Sequence, residues 1–250
     1  IPAQYRGYMA LAQEVVLGAH DGDEAREITR GYAELIKLDA QSLKLILEYS
    51  FSQHKDIILK CTDELLVDNG DEFADFYIRR KRQVVVGQAK CSFLPQIDYK
   101  EVNTLHDYNH INQEEFFGRF GLYQLVNTTI TNFRKYAHEI DDRFPKNKIF
   151  IYPILVTNEP IMASGLCSQV FGEKFKELLT EKGIEVDNKS YKINRLTVIH
   201  ISEFERLQQS LKDKDFRLDG FLQSYNDNSN SDLTGNPHSQ FMTFDNLIRK

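Results

Sequence analysis

Asp75, Gln88 and Lys90 are the residues of this sequence whose types and spacing could do chemistry. They lie on two apolar runs, Ala74–Ile78 and Gln83–Cys91, joined by Arg79-Arg80-Lys81-Arg82, a connection too short for anything but a β-hairpin. A hairpin with an even number of loop residues pairs positions whose numbers sum to an odd value, and alternate residues along each strand share a face. With Arg80 and Lys81 as the tip, or with all of Arg79 to Arg82 as the loop, Asp75, Val86, Gln88 and Lys90 come to one face. A carboxylate, an amide oxygen and an ammonium converge there.

The chemistry that needs such a set is phosphodiester hydrolysis assisted by Mg²⁺ or Mn²⁺, because a hard cation takes oxygen ligands and neutralises a scissile phosphate. Asp75 is the expected anchoring ligand, with the side-chain carbonyl of Gln88 and the backbone carbonyl of Ala89 beside it. Lys90 would orient the attacking water and stabilise charge developing on the phosphate. One carboxylate is few for a divalent ion, so a further acid is expected from Asp71, Glu72, Glu48 or Glu34, with Glu48, on the helix before the strands, the one assigned to the site. The run Arg79, Arg80, Lys81, Arg82 could contact nucleic-acid phosphates, although a charged tip also keeps a hairpin from pairing edge to edge.

These residues must be carried by a stable frame. A chain of 250 residues with 41% hydrophobic content can bury a core without staples. The expected class is α/β, a mixed sheet flanked by helices: an N-terminal helical segment over residues 1–50, an α/β core over 51–223, and a flexible segment with a short closing helix over 224–250. Apolar residues at three- and four-residue steps predict helices over Pro2–Leu17, Asp23–Leu38 and Ser42–Ser50, while Phe51–Val67 suits either a strand or a helix. Val84-Val85-Val86 reads as a central strand covered on both faces. Leu94–Ile111 reads as a long loop, Glu114–Ile140 as one helix, Lys148–Thr157 as a buried strand, Gly165–Lys182 as a helix stopped by Gly183, and Arg195–Ser202 as another strand leading into a helix.

No window is long and apolar enough for a membrane span, so the chain is expected to be soluble and cytoplasmic. Cys61, Cys91 and Cys167 have neither disulfide nor zinc spacing, which fits a reducing compartment. The first residue, Ile1, leads us to expect a domain trimmed from a longer protein, with a homodimer or a larger multidomain assembly as its setting. A net charge of −6 argues against a surface that grips nucleic acid everywhere and leaves room for a locally basic cleft. His106 and His110 have a metal-compatible helical spacing without a third ligand in view. Walker, HExxH, GxSxG and GxGxxG signals are absent.

Asp75-Phe76-Tyr77-Ile78, a basic turn, and Val84-Val85-Val86-Gly87-Gln88-Ala89-Lys90 together resemble the core of the PD-(D/E)xK phosphodiesterase superfamily. The likeness is to its Mrr-like and related defence nucleases, in which glutamine replaces the glutamate of the ExK element. The resemblance implies a restriction-endonuclease-like fold with an αβββαβ core, Mg²⁺-dependent cleavage of DNA, and the role of a prokaryotic defence effector. It departs from the family where Ala74 rather than proline precedes Asp75, and Thr128 stands where some of these nucleases pair a tyrosine with a helix glutamine such as Gln124. The alternatives are a catalytically silent member of the same fold, serving as a nucleic-acid-binding or assembly module, and an unrelated α/β interaction domain.

Overall fold

The three-valine run sits in the middle of a sheet, as unbroken β-branched residues require when both faces are covered. The computed structural model describes residues 43–67, 70, 72–90, 116–158 and 165–229. Its strands are β1 (Ile57–Cys61), β2 (Phe76–Arg80), β3 (Gln83–Lys90), β4 (Ile149–Thr157), β5 (Tyr191–Ile193) and β6 (Thr197–His200). They form one mixed six-stranded sheet in the order β1-β2-β3-β4-β5, with β6 also pairing β4. The first three strands are antiparallel, whereas β3–β4, β4–β5 and β4–β6 are parallel. Parallel pairing requires crossovers. Helix α2 (Leu122–Gln124, Leu125–Ile130 and Thr131–Ile140) links β3 to β4, and α3 (Gly165–Glu181) follows β4.

Alternation along the strands sorts their side chains into two cores. On one face Tyr77, Val84, Val86, Ile151, Leu155 and Val198 pack against α2 and α3. On the other, Phe76, Ile78, Val85, Tyr152, Ile154 and Ile199 pack against the helix over 43–51 (α1), α4 (Ile201–Lys212) and α5 (Leu218–Ser229). Each fully buried Val, Leu or Phe contributes roughly 1.5–3 kcal/mol, so both layers hold the sheet that carries the site. Gly87 lets them close: a Cβ there would come within 2.5 Å of Phe76 Cζ and press on the Ile154 carbonyl. Among the described residues no helix is long and apolar enough to cross a membrane.

Several sequence expectations need adjustment. Phe51–Val67 is both strand and helix, since β1 runs straight into a 3₁₀ turn, Thr62–Leu65. The expected helix Glu114–Ile140 is broken at Phe120–Gly121, where Gly121 has φ +79° and starts α2 anew. Residues 43–50 belong to the core rather than to a separate segment, because Leu43, Ile46 and Leu47 are buried in it. The flexible segment expected from Ser224 instead begins as the end of α5, with Tyr225 and Asn226 buried. Hydrogen bonds from Asn226 to the Thr197 hydroxyl and the Arg195 carbonyl, both within 3.2 Å, supply the polar anchor that composition did not reveal. The strand expected over Arg195–Ser202 is shorter, Thr197–His200, and the three-residue β5 precedes it along the same side of β4. The helices over 2–17 and 23–38, the loop over 94–111, His106, His110 and Cys91 lie outside the described residues.

Candidate functional site

The hairpin is one pair further along than either expected register. Its tip is Lys81-Arg82, with Lys81 at φ +56°, and Arg80 opposes Gln83. Asp75, just before β2, therefore lies opposite Gln88 rather than Val86, and its N–H donates to the Gly87 carbonyl at 3.1 Å. The slip preserves parity, so Asp75, Gln88 and Lys90 still share a face, the one covered by α2. They sit at the carboxyl ends of the parallel strands β3 and β4, where open α/β sheets form their crevices.

Asp75 is buried and poorly compensated. Its Oδ2 accepts the Ala89 N–H at 2.5 Å and lies 4.0 Å from Lys90 Nζ. The other neighbour is another acid, Glu72, hydrogen-bonded to it. Burial raises the Asp75 carboxyl above its ordinary value against the opposing pull of Lys90 and the Ala89 N–H. Glu72 is pushed up to about 7, by burial first and by the Asp75 charge second. Among the described residues, two carboxyl groups are thus held together with a single ammonium beside them, and burial together with their mutual repulsion favours a proton on Glu72. Glu72 is among the sequence candidates for the second acid, and of the two described candidates, Glu72 and Glu48, it is the one that touches Asp75.

Gln88 supplies the next oxygen. Its side chain is fully buried; Nε2 donates to Thr129 Oγ1 at 3.5 Å, and Oε1 has no hydrogen-bond partner among the described residues. A buried amide carbonyl left unpaired costs about 1–3 kcal/mol, a cost that a ligand bound beside it would remove. The Ala89 N–H already points at Asp75, and in an extended strand the carbonyl of the same residue projects to the same side. Among the described residues no three His, Cys, Asp or Glu side chains come together as metal ligands. The donor set is instead two carboxylates, an amide oxygen and a backbone carbonyl, all hard oxygen donors of the kind Mg²⁺ and Mn²⁺ take, with the orphaned Gln88 oxygen as the structural sign of fit.

Lys90 is held from above by the start of α2. A Cβ on Gly121 would come within 2.8 Å of Lys90 Cγ and 3.1 Å of its Cε, so only glycine lets the helix close over the lysine stem. Sequence pattern could not find this contact, because it joins a helix start to a strand end across the layer.

Other expected site residues lie elsewhere. Glu48, on α1, is exposed and pairs with Lys44 at 3.9 Å. Both Glu48 and Asp75 raise the buried Cys61 thiol, which burial pushes up to about 12 in the first place, but no contact joins Glu48 to Asp75, Gln88 or Lys90 among the described residues. Asp71 and Glu34 lie outside the described residues. The basic run is a correction. Arg79 is buried and bonded to Asp141 through Nε and Nη2, and to the Lys81 and Arg143 carbonyls at 3.0 Å. Arg80 is bonded to Asp56 at 2.7 Å and to the Lys214 and Phe216 carbonyls at 2.8 and 3.2 Å. Both are structural, because their forks are filled. Lys81 and Arg82 remain exposed, but the length of β3 separates them from Lys90 by roughly 23 Å. His200 caps α4, accepting from the Ser202 N–H at 3.2 Å, while its other ring nitrogen meets the Asn158 carbonyl at 2.9 Å.

No family model, curated protein or solved structure matches this chain.

Proposed function

We propose that this chain is a restriction-endonuclease-like domain that hydrolyses phosphodiester bonds of DNA with a bound Mg²⁺ or Mn²⁺. The observation that carries the reading is the fully buried Gln88 carbonyl oxygen, without a hydrogen-bond partner among the described residues, on the strand position opposite Asp75, which is itself paired with Glu72. The chain order α1, β1, β2, β3, α2, β4 supports it, being the αβββαβ order that the resemblance implies. Asp75, Glu72, Gln88 and the Ala89 carbonyl would hold the ion. A divalent cation there supplies charge neutralisation at the scissile phosphate and a lowered pKa for attacking water. Lys90, with part of its side chain exposed, reaches from the acid pair toward solvent, where a phosphate would lie. Its ammonium would orient the nucleophile and offset charge developing on the phosphate oxygens.

The test is cleavage of plasmid, linear duplex and single-stranded DNA with Mg²⁺, Mn²⁺ or EDTA, alongside Asp75→Asn and Lys90→Ala. Metal-dependent cleavage lost in both variants, with unchanged circular dichroism, is the expected result. The second reading, a silent nuclease-like module that binds nucleic acid or assembles with other chains, is favoured by the absence of a three-ligand His, Cys, Asp and Glu cluster among the described residues. DNA binding without cleavage under any of these conditions would establish it in place of the first.

A further inference from the structure

Helix α2 changes its winding where it crosses the site. Leu125–Ile130 is a π-helical segment between α-helical Leu122–Gln124 and Thr131–Ile140. The Val126 carbonyl accepts from both the Thr131 N–H and, at 2.7 Å, the Thr131 hydroxyl; the Asn127 carbonyl accepts from Asn132 Nδ2 at 3.3 Å. Such wide turns are rare and collect at functional sites, because they displace one side chain from its α-helical position. Thr129 lies within this segment and is buried. A mid-helix threonine ordinarily bonds back to its own helix. Thr129 instead donates to the Phe73 carbonyl at 2.6 Å, on the segment that carries Glu72 and Asp75.

That bond decides the chemistry of what lies beside it. A hydroxyl has one proton, and this one is committed to Phe73. Toward Gln88 the Thr129 oxygen can only accept, so it meets the NH₂ end of the amide, at 3.5 Å, and turns the carbonyl end away from the helix. We infer that Thr129 is a positioning residue of the candidate metal site: its hydroxyl fixes the amide orientation of Gln88, so that oxygen rather than NH₂ faces Asp75, and ties the acidic segment to the same helix. The inference rests on the proposed function for the identity of the ion. The orientation itself rests on the two hydrogen bonds and on the orphaned Gln88 oxygen.

The experiment uses the whole chain and Mn²⁺ as the probe, with affinity read by electron paramagnetic resonance in the absence of DNA. Thr129→Val keeps the shape and removes the acceptor; it should weaken Mn²⁺ binding about tenfold, the lower end for loss of a group that orients a metal ligand. Thr129→Ser should restore affinity to within about threefold of wild type. In a Gln88→Glu background, Thr129→Val should no longer weaken binding, because a carboxylate presents oxygen at either end. A purely structural threonine would lower the melting temperature and leave Mn²⁺ affinity unchanged in every background, which would overturn the inference. Mn²⁺ binding that is absent, or indifferent to Asp75→Asn, would sink the metal reading instead. In that case the Gln88 side-chain NH₂ signals still decide: slow hydrogen exchange in wild type and Thr129→Ser but fast exchange in Thr129→Val upholds the orientation, and equal exchange in all three refutes it.

Discussion

Asp75 and Asp141 are both buried aspartates beside the same face of β2, one before its first residue and the other bonded to Arg79 near its end. Asp141 is served from every side: Arg79 donates through Nε and Nη2, the Tyr77 hydroxyl donates at 2.9 Å, and the Arg143 N–H donates at 3.0 Å. Burial works against its charge, yet the bonds from Arg79 and Tyr77 win and hold the carboxyl below its ordinary value. Asp75 has one backbone N–H, an ammonium at 4.0 Å and an acid for a neighbour, and its carboxyl is raised. The first carboxylate is completed by its own chain and is therefore structural. Among the described residues the second is left incomplete, and the positive charge they do not supply is what a cation would bring.

The contrast breaks most readily at activity. Asp75→Asn should lower DNA cleavage by at least about a hundredfold while leaving the melting temperature unchanged or higher, since it relieves the repulsion with Glu72. Equal cleavage by this variant and wild type would erase the distinction. The converse substitution, Asp141→Asn, should cost about 3–5 kcal/mol because it strands the buried Arg79 charge. Calorimetry should register that as a fall of roughly 6–20 °C, with cleavage per folded molecule unchanged. A smaller effect follows from ligation. Mn²⁺ at a hundred times its dissociation constant should raise stability by about 2.7 kcal/mol in wild type, and Asp75→Asn should abolish the rise.

The two acids also give stability opposite pH dependences, best measured by denaturant unfolding in EDTA. Glu72 has a folded-state value near 7, above its ordinary 4.5, so the folded state holds the proton longer. The stability linked to it is complete below about pH 4.5 and is lost as pH rises through about 7. Asp141 is lowered below its ordinary 3.8, so its contribution is present above that pH and is lost on acidification below it. Glu72→Gln should flatten the upper window and leave the lower one in place. A profile that rises from pH 5 to 7 in wild type would contradict the assignment to Glu72.

Much of the frame could be read from the chain because it rests on local periodicity. Val84-Val85-Val86 and Ile149–Thr157 are long apolar runs, and they form the central strands. The face shared by Asp75, Gln88 and Lys90 survived an error in the tip because it depends only on parity. What stayed hidden depends on contacts between distant segments. Arg79 and Arg80 looked like free cations because Asp141, Lys214 and Phe216, which satisfy them, are remote in sequence. Tyr191–Ile193 is too short and too polar in its surroundings to announce a strand, and the β4 residues it pairs with, Ile149–Ile151, are remote in sequence. Nothing in Leu125–Ile130 signals a π turn, so Thr129 could not have been assigned to Gln88 in advance.

The glycine that opens α2 has a consequence for the reach of the amine. With φ +79° and its missing Cβ set against Lys90, Gly121 works as a gauge block: the helix can approach only as far as the lysine stem allows, and the stem can swing only as far as the helix permits. A methyl group there would lever the ammonium away from the acids without touching either carboxylate. Gly121→Ala, beyond a stability loss of about 1 kcal/mol, should therefore slow turnover while sparing Mn²⁺ affinity, separating the contribution of the amine from that of the oxygens.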